Sequence, residues 1–159
     1  MKRTYILSTV LAFALLFTAI SCSDDHHDHG EVPVGFQLTL NGDMLVNQDH
    51  STVTYATGNA IEIPANDVVG PIQLQFLAED GDLYTPDGHG DEYFLNYSLS
   101  NPSVVSVEHP VDGSEWRFNI SGQTEGSTTI TFELMHVDHS DFESLPINIT
   151  VFERDEAVE

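Results

Sequence analysis

The stretch Ile130-Thr131-Phe132-Glu133-Leu134 alternates apolar and polar residues, and the next residue in the apolar phase is His136. Side chains two apart on a β-strand lie on one face of the sheet. The pattern therefore predicts a strand that buries its three apolar side chains in a core. The histidine would then lie at the edge of that core, which makes it the first candidate functional residue.

The same alternation recurs along the chain and predicts six more principal strands. They lie at about 36–40, 72–76, 95–99, 105–107, 116–120 and 147–151, with a shorter strand near 60–63. Turn sequences such as Asn41-Gly42-Asp43 and Asp80-Gly81-Asp82 separate them, and no segment has a helical period. Seven short alternating strands in about 120 residues predict an all-β, immunoglobulin-like β-sandwich.

Three further segments carry a resemblance to a known family. They are Ser100-Asn101-Pro102-Ser103-Val104-Val105-Ser106-Val107, Ile120-Ser121-Gly122 and Gly126-Ser127-Thr128-Thr129-Ile130-Thr131. Together they resemble the group 2 bacterial Ig-like domain, and the resemblance covers about Ala60 to Val151. It implies the fold and leaves the function open.

The N-terminus is typical of a secretory signal peptide, predicted over residues 1–21. Lys2 and Arg3 precede an uncharged apolar run that ends shortly before Cys22. The segment Ala19-Ile20-Ser21-Cys22 resembles the lipobox of bacterial lipoproteins, although Leu is usual where Ala19 stands. The resemblance implies lipidation (palmitate) of Cys22 and attachment to a membrane of the cell envelope. The alternative is an ordinary secretory signal followed by an incidental cysteine.

The remaining chain divides into three predicted parts. Residues 22–33 form an acidic, histidine-rich tether, residues 34–153 form the sandwich, and residues 154–159 form an acidic tail. The acidic start of the tether resembles the surface-export signal of Bacteroidota lipoproteins. This resemblance implies an outer-membrane location with exposure at the cell surface.

The charge balance excludes one class of partner. The chain has 26 acidic residues against four basic ones, and Lys2 and Arg3 would leave with the signal peptide. Such a chain repels nucleic acid and anionic lipid surfaces, so we expect no nucleic-acid partner. Cations are the natural ligands, although acidic surfaces also serve solubility alone.

The histidines predict a binding site at one end of the sandwich. In the immunoglobulin strand order A to G, the B–C, D–E and F–G loops lie at the same end. These loops contain four histidines: His89, His109, His136 and His139. His109 and His136 each follow a strand and are the next residues in its alternating, inward-facing set. Asp91 precedes a strand and belongs to the inward-facing set of that strand in the same way. We expect these groups to converge, and we expect His50 in a solvated loop.

Imidazole and carboxylate together favour zinc, which usually takes four ligands in a tetrahedron. The predicted metal ligands are His89, His109, His136, His139, Asp91, Asp138 and Asp141. The histidines of the tether are predicted as an auxiliary metal-binding tail: His26, His27 and His29. Copper and nickel also accept imidazole. Calcium is a further alternative because of the acidic run at 79–82 with Asp87 and Asp91, although the spacing does not match an EF-hand loop.

The function predicted from these features is non-enzymatic binding of a transition metal by a lipid-anchored envelope protein. The histidine-rich start and residues 134–141 are similar to small Bacteroidota lipoproteins linked with metal uptake, which implies a role in uptake or buffering beside an outer-membrane transporter. No Ser-His-Asp elbow, phosphate loop or nucleophilic cysteine is present in the sequence. The alternatives are a structural or adhesion module, a calcium-binding module and a hydrolytic metalloenzyme.

Overall fold

The structure, a computed structural model, describes residues 32–86 and 93–154. Within these residues the chain forms twelve β-strands in two sheets and no helix, so the described part contains no helix able to cross a membrane. The predicted signal peptide, nearly all of the tether and nearly all of the tail lie outside the described residues.

Seven strands form the first sheet and five form the second. The first sheet contains β1 (Gly35–Leu40), β2 (Asp43–Asp49), β3 (Thr52–Tyr55), β5 (Val68–Leu77), β6 (Leu83–Tyr84), β8 (Val105–Glu108) and β9 (Arg117–Gly122). The second sheet contains β4 (Ile61–Pro64), β7 (Tyr93–Leu99), β10 (Gly126–His136), β11 (His139–Glu143) and β12 (Ile147–Phe152).

The order of the strands is that of an immunoglobulin-like sandwich, as the sequence predicts. The first sheet has the order β3-β2-β1-β5-β9-β8, in which the last four strands are A, B, E and D. In the second sheet β7, β10 and β12 are adjacent as C, F and G, and β4 pairs with β12 in parallel. Beyond β1, the strands β2 and β3 extend the first sheet as an antiparallel meander.

The core lies between the two sheets and is built from the predicted apolar phases. Ile130, Phe132 and Leu134 of β10 are at most 1% exposed. The Phe132 ring lies 5.8 Å from that of Phe36 and 5.1 Å from that of Phe118, so side chains from both sheets interdigitate. Burial of each such side chain contributes roughly 1.5–3 kcal/mol, which makes this packing the main support of the sandwich.

Four strands were not predicted from the sequence: β2, β3, β6 and β11. The residues of β2 show one reason why such a strand escapes prediction. Its Gln48 is polar but only 3% exposed, so it interrupts the apolar phase that marks a buried strand. The Gln48 amide donates to the His50 carbonyl at 3.0 Å and accepts from the Leu145 backbone N–H at 2.8 Å. These bonds satisfy the amide inside the protein, where an unpaired polar group would be costly.

The end of the sandwich that carries the F–G connection also receives the start of the described chain. The Phe142 ring of β11 lies 6.5 Å from Phe36 of β1 and 5.9 Å from Phe76 of β5. Just before β1, the Val34 N–H donates to the Leu77 carbonyl at the end of β5. These contacts anchor β11 to the first sheet and so fix the position of the F–G connection.

Candidate metal centre

The F–G connection, predicted as a loop over residues 135–144, is a β-hairpin. β10 continues to His136 and β11 begins at His139, so Val137 and Asp138 alone form the turn. His136 and His139 are register partners, and directly opposed residues present their side chains on the same face of a sheet. The pairing of the two strands therefore brings together two imidazoles that are three residues apart, with ring centroids at 5.2 Å.

A β-bulge adds a carboxylate to this pair. Ser140 pairs with Met135 and Phe142 pairs with Leu134, which leaves Asp141 as the extra residue of β11. A bulge of this kind redirects side chains and is frequent beside functional sites. It allows Phe142 to reach the core while Asp141 stays beside the two histidines.

The three side chains form a group that could hold a metal ion. Asp141 Oδ1 lies 3.0 Å from His139 Nε2, and its Oδ2 lies 3.5 Å from His136 Nδ1. One potential ligand atom from each residue lies within 4.8 Å of the other two. Ligand atoms of a tetrahedral zinc ion are about 3.3 Å apart. Small side-chain movements would therefore place all three atoms around one ion.

Burial differs within the group. The side chains of His136 and Asp141 are 23% and 25% exposed, whereas that of His139 is 59% exposed. The group thus has one side held by the protein and one side open to solvent.

Two neighbouring side chains contact the imidazoles from outside the group. The Tyr93 ring is stacked on His136, with centroids 4.3 Å apart and planes at 15°. Asp138 Oδ1 lies 3.4 Å from His139 Nδ1, on the side of the ring away from Asp141. Asp138, which the sequence suggested as a ligand, therefore lies where an orienting partner would be expected. Tyr93 was not predicted as part of a site, although it shares the inward phase of Leu95.

His109 lies apart from this group. Its Nε2 donates to the Glu115 carbonyl at 2.7 Å, and its ring makes a T-shaped contact with the Tyr97 ring. Tyr97 is four residues along β7 from Tyr93, a distance of about 13 Å in a strand. The structure therefore does not bring His109 to His136, because His109 packs beside Tyr97 whereas His136 packs beside Tyr93.

The other predicted residues fall into two sets. His50 lies in the turn between β2 and β3, is exposed, and pairs with Asp49 at 2.6 Å. The rest lie outside the described residues, and their roles stay predictions: Cys22, His26, His27, His29, His89 and Asp91. Within residues 32–86 and 93–154, the hairpin is the one place where three or more potential ligand atoms meet. The acidic run at 79–82 forms no such group there.

No protein-family model matches the chain, and a comparison with curated proteins finds no match. Among solved structures the chain is similar to a crystal structure of domains 4 and 5 of the S-layer protein SbsC. The sequence identity is 13%, the TM-score is 0.40, and the similarity covers 73% of this chain and 74% of that chain. A similarity of this size bears on neither ligand nor function.

Proposed function

We propose that this protein binds a transition metal ion through His136, His139 and Asp141. The observation that carries the proposal is the hairpin register, which opposes the two histidines and adds a carboxylate within ligand distance. Two imidazole nitrogens and one carboxylate oxygen are an accepted zinc donor set, and sites of this composition keep a position open for a further ligand.

The donor set separates the candidate metals. Calcium takes six to eight oxygen ligands, so a group with two imidazoles is poorly suited to it. Zinc, copper and nickel all accept imidazole, and copper binds most tightly to a given nitrogen site. Zinc remains our choice because it tolerates a tetrahedral arrangement with mixed nitrogen and oxygen ligands.

The exposure of the site suits exchange of the metal. His139 is more than half exposed, so the ion would be reached from solution without unfolding of the hairpin. The surrounding excess of acidic residues would raise the local concentration of cations. Both features favour a protein that buffers or hands on a metal over one that uses it as a permanent support.

The proposed setting is the cell envelope, with the chain attached to the outer membrane through lipid on Cys22. In this setting an outer-membrane transporter would be the partner that receives the metal. The proposal for the setting rests on the N-terminal sequence, and mass spectrometry of the protein extracted from membranes would test it. An acyl modification at Cys22 is expected, and an unmodified thiol on a soluble chain would contradict it.

Metal analysis tests the main proposal. We expect tag-free protein to bind about one Zn²⁺ in calorimetry and the double variant His136→Ala, His139→Ala to lose at least about a hundredfold in affinity. In known metal sites, loss of a single residue that hydrogen-bonds to a ligand already lowers metal affinity 10–100-fold. His50→Asn is the matched control because it removes another exposed hairpin histidine paired with an aspartate. Absence of Zn²⁺ binding, or an equal loss of affinity in the control variant, would favour the alternative that the protein is a structural or adhesion module.

A further inference from the structure

The two histidines of the hairpin present different nitrogens to Asp141. His136 faces the carboxylate with Nδ1, whereas His139 faces it with Nε2. An ion between these groups would meet the same two nitrogens. We propose that the site binds its metal through Nδ1 of His136 and Nε2 of His139, with Tyr93 and Asp138 as positioning residues. This inference rests on the proposed function and specifies how that site works.

Tyr93 restricts the plane of the His136 ring. The two residues are register partners on β7 and β10, and their rings are nearly parallel at van der Waals distance. Rotation of the imidazole out of this plane would break the stack, and stacked aromatic pairs stabilise each other beyond the area that they bury. The stack therefore leaves two ring orientations, which are related by a flip of 180°.

Asp141 distinguishes these two orientations. In one orientation the carboxylate faces Nδ1 at 3.5 Å, and in the other it would face the Cδ2 carbon, which offers no strong hydrogen bond. The contact with Asp141 therefore favours the orientation in which Nδ1 faces the carboxylate. When the metal occupies Nδ1, the single proton of the neutral imidazole must be on Nε2.

Asp138 has the corresponding role for His139. Its Oδ1 lies 3.4 Å from Nδ1, and a carboxylate there can only accept a hydrogen bond from a ring N–H. A proton on Nδ1 leaves the lone pair of the neutral ring on Nε2, the nitrogen that faces Asp141 at 3.0 Å. Carboxylate partners orient metal-bound histidines in this way in many sites. Because Asp138 is 91% exposed, we expect its effect to be smaller than that of Tyr93.

Preorganisation is the expected benefit of the stack, since a ligand already held in its bound orientation loses less freedom on binding. Tyr93→Leu removes the aromatic face, whereas Tyr93→Phe retains it. We expect Tyr93→Leu to weaken Zn²⁺ binding about tenfold, which is the lower end of the loss in affinity seen when a residue that orients a metal ligand is removed. Tyr93→Phe should bind as the parent protein does.

Long-range ¹H–¹⁵N spectra of the imidazoles, recorded with and without Zn²⁺, are the decisive measurement. We expect the metal-bound shift on Nδ1 of His136 and on Nε2 of His139. In Tyr93→Leu the His136 signals should show a mixture of coordination through Nδ1 and Nε2. Tyr97→Leu is the matched control, because Tyr97 lies on the same strand but contacts His109 instead.

The outcomes separate the inference from the function on which it rests. Coordination of His136 through Nε2 in the parent protein would overturn the inference, but the proposed metal binding would remain supported. Unchanged affinity and unchanged coordination in Tyr93→Leu would overturn the role of Tyr93. If neither histidine responds to saturating Zn²⁺, the proposed function itself fails.

Discussion

Ser144 follows directly after β11 and hydrogen-bonds to β10 between the segments of β10 that pair with β11 and with β12. β12 pairs with β10 as far as Ile130, and β11 pairs with β10 from Glu133 onward. Between them, the Phe132 N–H donates to the Ser144 hydroxyl at 2.9 Å in a buried position. The hydroxyl itself donates to the Leu145 carbonyl at 2.9 Å, and Ser144 is 5% exposed.

The substitution Ser144→Ala should therefore destabilise the protein by about 2 kcal/mol. It leaves the buried Phe132 N–H without an acceptor, and an unsatisfied buried group costs roughly 1–3 kcal/mol. For a domain of this size the corresponding fall in melting temperature is roughly 5–10 °C. Urea unfolding followed by circular dichroism would measure the change in the free energy of unfolding.

The control for this prediction is Ser140→Ala, since Ser140 lies on β11 and its exposed hydroxyl donates to the Phe142 carbonyl at 3.1 Å. Its loss should change stability by no more than about 0.5 kcal/mol. A loss of less than about 0.5 kcal/mol for Ser144→Ala as well would refute the assignment of Ser144 as the acceptor for Phe132. Zn²⁺ at about 100 times its dissociation constant should add about 2.7 kcal/mol to the parent and to both variants.

Two further predictions concern the hairpin. Val137 has a φ of 55°, which is strained for a β-branched residue, and it is 60% exposed. Val137→Asn should stabilise the protein by about 1 kcal/mol in urea unfolding and leave Zn²⁺ affinity unchanged, because Asn tolerates this conformation; a destabilised variant would contradict this. Zn²⁺ affinity should be lower at pH 5.5 than at pH 7.5, because protons compete with the metal for the imidazole nitrogens. Calorimetry at both values tests this, and equal affinities would count against histidine ligation.

The alternation of apolar and polar residues was enough to predict the fold class. In β10 the residues Ile130, Phe132 and Leu134 point into the core, and the same phase correctly identified the other six principal strands. This works because side chains two apart share a face of a strand, so one buried face leaves a periodic signal in the sequence. The order of these strands follows from the small number of ways in which such sheets pack.

The arrangement of the candidate site depended on the tertiary structure. Histidine content and loop assignment suggested a wider ligand set, including His109, but in the tertiary structure His109 lies beside Tyr97 instead. The residues of β11 show too little apolar alternation to predict a strand, because a bulge at Asp141 shifts the phase between His139 and Phe142. Bulges and register are properties of two paired strands, so one strand's sequence does not contain them. The sequence therefore determined the sandwich and its acidic, histidine-bearing end, and the pairing of β10 with β11 decided which three side chains meet.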